Sequence, residues 1–149
     1  MWNDRKSLVL SKVFVIVFVV LIAACVVIAP RLVDFVMWMS AYASETGKPL
    51  FLCTVYTGCA TAVVLLAFLY ILLDRIGKGR VFVEENVSCL RYISWCCFAG
   101  AAICMASAVY YVPWSAIGVA AAFMGLIVRV IKNVFAKAVS LQDDAEFTI

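Results

Sequence analysis

The chain alternates four long apolar runs with short polar stretches, and this pattern decides its fold class. The runs cover about residues 8–29, 50–73, 87–111 and 114–136. About 20 apolar residues in an α-helix rise far enough to cross the ~30 Å hydrocarbon core of a bilayer. The pattern therefore predicts an all-α polytopic membrane protein, a bundle of four transmembrane helices that forms one domain over residues 1–149.

The composition agrees with this prediction. Hydrophobic residues make up 67% of the chain and charged residues 14%, whereas a soluble domain has about 45–50% apolar and about 25% charged residues. At 149 residues, the chain has room for one compact bundle and for no separate soluble domain.

The positive residues are distributed unevenly between the two sides of the bundle. Only Arg31 and Lys48 fall between spans one and two. The other ten are Arg5, Lys6, Lys12, Arg75, Lys78, Arg80, Arg91, Arg129, Lys132 and Lys137. Because Lys and Arg collect on the cytoplasmic side, we expect an N-in/C-in topology with a cytoplasmic loop over residues 74–86 and a cytoplasmic tail over residues 137–149.

The first run has a second interpretation. Ile22-Ala23-Ala24-Cys25 is similar to a lipoprotein cleavage box, which would make Cys25 a lipidated N-terminus. The apolar run continues through Ala29, where a lipoprotein usually turns polar, so an uncleaved first span is favoured.

Pro30 is expected to end or kink the first helix. The apolar residues beyond it, from Leu32 to Met39, follow the spacing of one helical face. This segment is expected either to lie in the outer headgroup layer or to form a kinked extension of span one.

Small residues recur at four-residue spacing in spans two to four. Such spacing lets helix backbones approach closely in lipid. It predicts packing within one monomer, with a homodimer face as the alternative. The residues are Gly58 and Ala62; Gly100, Cys104 and Ala108; Gly118 and Ala122; and Ala121 and Gly125.

The chain offers few groups for catalysis or for binding a cofactor. It has no His, and no acidic residue lies inside a span. Its seven cysteines include no CxxC pair; we expect Cys25, Cys53, Cys59 and Cys104 to lie in the outer half of the bundle, where they could approach one another. We expect no enzyme, catalytic residue, cofactor or metal site. The hydroxyl groups available to line a polar pathway belong to Thr54, Tyr56, Thr57, Thr61, Ser94 and Ser107.

The loop and tail carry the most distinctive polar sequence. Two glutamates in the first turn of helix three suit the positive end of its dipole. The tail passes from an amphipathic helix to an acidic patch and then to two apolar side chains. We expect these side chains to pack either on the protein's own inner surface, which is slightly favoured, or on a separate protein. The candidate partner-binding residues are Phe82, Glu84, Glu85, Asn86, Arg91, Asp143, Asp144, Glu146, Phe147 and Ile149.

These two segments resemble those of a known family. The stretch Gly79-Arg80-Val81-Phe82-Val83-Glu84-Glu85-Asn86-Val87, and the ending Leu141-Gln142-Asp143-Asp144-Ala145-Glu146-Phe147-Thr148-Ile149, are similar to the loop and closing signatures of the bacterial family catalogued as domain of unknown function 2975. Val83 departs from the family's usual Ser or Thr, and therefore cannot cap helix three. Ala138 stands where Gly is usual, so the last helix is expected to run further.

The resemblance implies a small multi-pass protein of the bacterial cytoplasmic membrane, whose family has no assigned activity. Its members are often encoded beside a small helix-turn-helix DNA-binding regulator. We therefore expect a regulatory or interaction component that engages such a cytoplasmic partner through its loop and tail, without binding nucleic acid itself. The alternative is small-molecule binding or efflux by the four-helix bundle in the lipid bilayer, as a homodimer.

Overall fold

The computed structural model describes residues 4–40 and 47–148, and in these residues it contains four helices and no strand. The helices are α1 (Asp4–Met39), α2 (Gly47–Gly77), α3 (Glu84–Ser107) and α4 (Trp114–Phe147). Each is long and apolar enough to cross a membrane. The prediction of an all-α bundle of four transmembrane helices is confirmed.

Consecutive helices pack side by side. Within the described residues, α1 packs on α2, α2 on α3 and α3 on α4, and no other pair of helices packs together. The antiparallel order is fixed at both ends by ion pairs between α1 and α2: Lys12 with Asp74 at 2.8 Å, and Asp34 with Lys48 at 2.5 Å. Because only consecutive helices pack together in the described residues, α1 and α4 form the two flanks of the bundle and do not pack on each other.

The two ends of the bundle differ in composition. The basic end holds the first turns of α1 and α3, the last turns of α2 and α4, and the loop between α2 and α3. At the opposite, aromatic end, the ring of Phe51 on α2 lies 5.3 Å from the rings of both Tyr111 and Trp114. Aromatic rings of this kind favour the boundary between lipid and water.

Pro30 does not end α1. The helix runs through it to Met39, so the segment after Pro30 extends span one and is not a separate helix. The reason is that a proline in a long apolar helix removes one hydrogen bond, while the bonds on either side keep the segment helical. Pro30 is exposed, while Ala29 and Val33 are buried.

The small residues divide into two groups. A Cβ atom at Gly125 would lie 3.0 Å from Cβ of Cys97, and one at Gly118 would lie 2.9 Å from Met105, so both glycines allow the close approach of α3 and α4. A Cβ atom at Gly58 or Gly100 would meet nothing within 4 Å. The expectation of packing within one monomer is therefore confirmed between α3 and α4 and is wrong at Gly58 and Gly100, while the alternative of a homodimer face stays a prediction.

Candidate functional site

The loop between α2 and α3 is held from inside by Asn86. Gly79 adopts a positive φ of 80° and turns the chain after α2. The side chain of Asn86 is 0% exposed, and its Nδ2 donates to the carbonyl oxygens of Arg80 at 2.7 Å and Val81 at 2.8 Å. These two bonds tie the loop to the first turn of α3, where Val83 at the N-cap makes no side-chain bond. Asn86 therefore shapes the loop from within and presents no surface to a partner.

Phe82 attaches the same loop to α4. Its ring lies 5.5 Å from the ring of Phe135, and 46% of the residue stays exposed. The contact joins the start of α3 to α4 at the level where α4 leaves its apolar run.

Beyond this contact, α3 and α4 enclose a polar groove of about 510 Å³ at the basic end. Helical spacing places Glu84, Ser88 and Arg91 on one face of α3, and Ser140 and Asp143 on the facing side of α4. We call this groove between α3 and α4 the acidic groove. Its lining residues are Glu84, Val87, Ser88, Arg91, Ala136, Val139, Ser140, Asp143 and Asp144.

The charged groups of the acidic groove are not paired with one another. Its three carboxylates, on Glu84, Asp143 and Asp144, face a single guanidinium group, that of Arg91. In the described part of the chain, none of these four residues has an ion-pair partner; the ion pair of the loop joins Arg80 and Glu85 at 3.3 Å. The groove therefore carries a net negative charge that is open to a positively charged group from outside.

The structure brings together only part of the predicted partner-binding set. Glu85 points away from the groove toward Arg80, because neighbouring residues in a helix point about 100° apart. Glu146 and Phe147 lie past the groove on the last turn of α4, and Ile149 lies outside the described residues.

The end of α4 does not fold back on the bundle. The helix continues without a break through Ala138 to Phe147, as the departure from glycine predicted. Phe147 is 90% exposed and Leu141 57%, so the expectation that the tail docks on the protein's own surface is wrong for the described residues.

A second concavity, which the sequence reasoning missed, lies between the flanking helices. We call it the apolar cleft. It has a volume of about 430 Å³, with α2 and α3 as its floor and α1 and α4 as its walls. The open glycines Gly58 and Gly100 contribute to its floor, which explains their empty surroundings. The signal in the sequence was the concentration of small residues and cysteines in spans two and three. The lining residues are Ile22, Cys25, Thr54, Val55, Gly58, Cys59, Thr61, Ala62, Leu65, Cys96, Cys97, Gly100, Cys104, Trp114, Ile117 and Ala121.

The apolar cleft contains few polar groups. Of the six hydroxyl residues considered for a pathway, Thr54 and Thr61 line it, and both donate to carbonyl oxygens of their own helix. The Thr54 hydroxyl also lies 2.7 Å from that of Ser107, which joins α2 to α3. The Oγ of Ser94 donates to the carbonyl oxygen of Gly125 at 3.0 Å and joins α3 to α4. These hydroxyls stabilise the bundle and leave a cleft suited to apolar molecules.

Neither concavity contains a preformed metal site in the part of the chain that the structure describes. No group of three or more His, Cys, Asp or Glu side chains there is arranged to hold a metal ion.

The comparisons with known proteins give one finding. A family model described as "Protein of unknown function (DUF2975)" matches residues 10–149, nearly the whole chain. No curated protein and no solved structure matches the chain.

Proposed function

The chain belongs to the DUF2975 family of proteins of unknown function, and we propose that it is a membrane-anchored docking protein. In this proposal a soluble partner binds in the cytoplasm to the acidic groove and to the end of α4. The cytoplasmic assignment of this end is part of the proposal and is supported by the ten positive residues on that side against two on the other.

The observation that carries the proposal is the exposed end of α4. This helix extends beyond its apolar run and presents Leu141 and Phe147 to the surroundings. Exposed apolar side chains beside charged ones are typical of surfaces that bind another protein. Leu141 lies next to the carboxylates of Asp143 and Asp144 in the chain, so an apolar anchor and a negative charge are offered together.

The charge of the acidic groove favours a basic partner. Three carboxylates face one guanidinium group, and in the described residues none of the three takes part in an ion pair. Proteins that bind DNA carry basic surfaces that neutralise phosphates. A small helix-turn-helix regulator has the required charge, and its basic surface would be occupied while it is bound in the groove. The membrane protein would then keep the regulator away from DNA.

Affinity purification from native membranes tests this proposal. The tag is placed at the N-terminus so that the end of α4 stays free, and the protein is extracted in mild detergent. We expect a small basic DNA-binding protein to copurify, and to be lost when residues 143–149 are deleted.

Point variants show whether the groove itself is responsible. The double variant Asp143→Asn, Asp144→Asn should reduce recovery of the partner at least tenfold, because it removes two of the three carboxylates. Glu85→Gln is the matched control, since Glu85 pairs with Arg80 outside the groove, and it should change recovery less than twofold. Equal recovery with both variants, or no copurifying protein, would contradict the proposal.

The apolar cleft favours a second candidate function, the binding or export of a neutral apolar small molecule. Such sites are concave and mostly apolar, as this cleft is.

The substitution Gly100→Leu would fill the apolar cleft, because nothing lies within 4 Å of a Cβ atom there. Ala99→Leu, on the exposed side of α3, is the control. Export of the neutral dye Nile red only by cells that contain the protein would support this function, if Gly100→Leu abolishes the export and Ala99→Leu preserves it. Equal dye accumulation in cells with and without the protein would exclude this function.

A further inference from the structure

Three positive side chains lie where α3 and α4 pass from the basic end into the apolar part of the bundle. They belong to Arg91 on α3 and to Arg129 and Lys132 on α4. The two helices are antiparallel, and Val87 and Ala136 both line the acidic groove between them. One helical turn from these two residues toward the aromatic end leads to Arg91 on α3 and to Lys132 on α4, so these two cations lie at about the same level.

An exposed tryptophan holds the third cation beside them. The guanidinium carbon of Arg129 lies 6.0 Å from the centre of the Trp95 ring, which is the distance of a cation–π interaction. Trp95 follows Arg91 by one turn on the same face of α3 and is 59% exposed. We call Arg91, Trp95, Arg129 and Lys132 the cationic patch.

The two cations of α4 lie at a depth where water does not easily reach them. Because α4 begins with Trp114 at the aromatic end, a rise of 1.5 Å per residue places Arg129 ~22 Å and Lys132 ~27 Å along a hydrocarbon core of ~30 Å. Side chains on a helix tilt toward its N-terminus, which for α4 is the aromatic end. Both side chains must therefore bend back to reach the water at the basic end. A positive charge at this depth requires a nearby negative charge.

The described part of the chain does not provide that negative charge through an ion pair. Its ion pairs engage four other cations: Lys12 and Lys78 with Asp74, Lys48 with Asp34, and Arg80 with Glu85. None of them includes a residue of the cationic patch. An anion from the surroundings is therefore needed, and the anions available at the edge of the hydrocarbon core are the phosphate groups of lipids.

We propose that the cationic patch binds the phosphate of one anionic phospholipid from the leaflet at the basic end. The guanidinium groups of Arg91 and Arg129 donate to the phosphate oxygens, which suit their planar fork, and the ammonium group of Lys132 adds a third positive charge. A zwitterionic lipid would bring a further positive group to this patch, so an anionic headgroup is favoured. This site lies in the membrane and the partner of the docking proposal is soluble, so each proposal can hold without the other.

Native mass spectrometry of the full-length protein in detergent tests the proposal. The protein is titrated separately with phosphatidylglycerol and with phosphatidylcholine that carry the same acyl chains. We expect one phosphatidylglycerol to bind per chain with a Kd at least tenfold below that of phosphatidylcholine. A hundredfold excess of sn-glycerol 3-phosphate, which carries a phosphate without acyl chains, should change this Kd less than twofold. Equal affinity for the two lipids, or displacement of the lipid by the soluble phosphate, would overturn the proposal.

Charge variants show whether the cationic patch is responsible. Arg129→Gln and Lys132→Gln should each raise the Kd for phosphatidylglycerol at least fivefold. Lys137→Gln is the matched control, since it removes a positive charge from an exposed position of α4 beyond the apolar run, and it should change the Kd less than twofold. Arg129→Leu and Lys132→Leu, which suit a lipid environment, provide a second pair if a glutamine variant does not yield a monodisperse sample. An equal loss of affinity in the control and in the patch variants would show a general attraction to the membrane and would overturn the assignment.

Discussion

Adding one methyl group at each of two glycines should affect the bundle in opposite directions. Alanine at Gly125 places its Cβ atom 3.0 Å from Cβ of Cys97 and 3.2 Å from the ring of Phe98. A Cβ atom cannot rotate away, so α3 and α4 must separate, and overpacking of this kind costs about 1–3 kcal/mol. Alanine at Gly100 meets nothing within 4 Å.

The comparison of these two variants isolates the packing term. Replacing glycine by alanine within a helix also gains about 1 kcal/mol of helix propensity, and this gain is common to both variants. The free energy of unfolding of Gly125→Ala should therefore lie about 1–3 kcal/mol below that of Gly100→Ala. For a chain of this size the difference corresponds to a melting temperature lower by roughly 3–10 °C.

Thermal unfolding in detergent, followed with a thiol-reactive fluorescent dye, measures this difference, because both variants keep all seven cysteines. Gly58→Ala is a second open-glycine control and should behave like Gly100→Ala. Equal melting temperatures for Gly125→Ala and Gly100→Ala, or the reverse order, would refute the assignment of the close helix contact to Gly125.

Three further predictions follow from the hydrogen bonds and the charge distribution. Asn86→Ala leaves two loop carbonyls without their donor and should lower the free energy of unfolding by about 1–3 kcal/mol. The control Ser88→Ala, at an exposed position, should change the free energy of unfolding by less than about 0.5 kcal/mol. Thermal unfolding of both variants checks this prediction. Thr54→Val removes the bond between α2 and α3 and should cost about 0.6–1.7 kcal/mol, while Thr57→Val, whose hydroxyl bonds only within α2, should be nearly neutral; equal melting temperatures would contradict the interhelical role of Thr54. A fluorescent protein fused to the C-terminus should fluoresce and alkaline phosphatase fused after Val112 should be active, as the N-in/C-in proposal requires; the opposite pattern of reporter activities would reject that topology.

The hydrophobic pattern was sufficient to predict the four helices, because apolar length alone decides which segments can cross a bilayer. It left two alternatives for the path of α1. Pro30 was expected to end or kink that helix, and the helix runs through Pro30 to Met39 as an extension of span one, because the hydrogen bonds on either side keep the segment helical. The apolar pattern could not choose between the alternatives, since both place the same residues after Pro30.

Contacts between helices were only partly predictable. Four-residue spacing of small residues identifies a face that another helix can approach, but it does not say whether a helix occupies that face. The space beside Gly125 is occupied by α3, whereas Gly100 faces the apolar cleft. This difference arises because α1 and α4 do not pack on each other in the described residues. No local sequence pattern predicts that arrangement.

The four charged residues of the acidic groove were candidates from the sequence, whereas its other lining residues and its geometry were not predicted. Glu84 and Arg91 were candidates from the loop, and Asp143 and Asp144 were candidates from the tail. Their common location depends on the length of α4, which reaches Phe147 as one helix. Glu85, adjacent to Glu84 in the chain, falls outside the groove because of the helical rotation between them.

Site-specific photocrosslinking in native membranes tests the docking proposal most directly. A photoreactive amino acid replaces Leu141 beside the acidic groove and, as a control, Phe123, which is exposed on the apolar run of α4. We predict that the probe at Leu141 forms an adduct with one soluble basic protein, that Asp143→Asn with Asp144→Asn removes this adduct, and that the probe at Phe123 forms none with a soluble protein. The absence of an adduct at Leu141, or the same adduct at Phe123, would contradict the account.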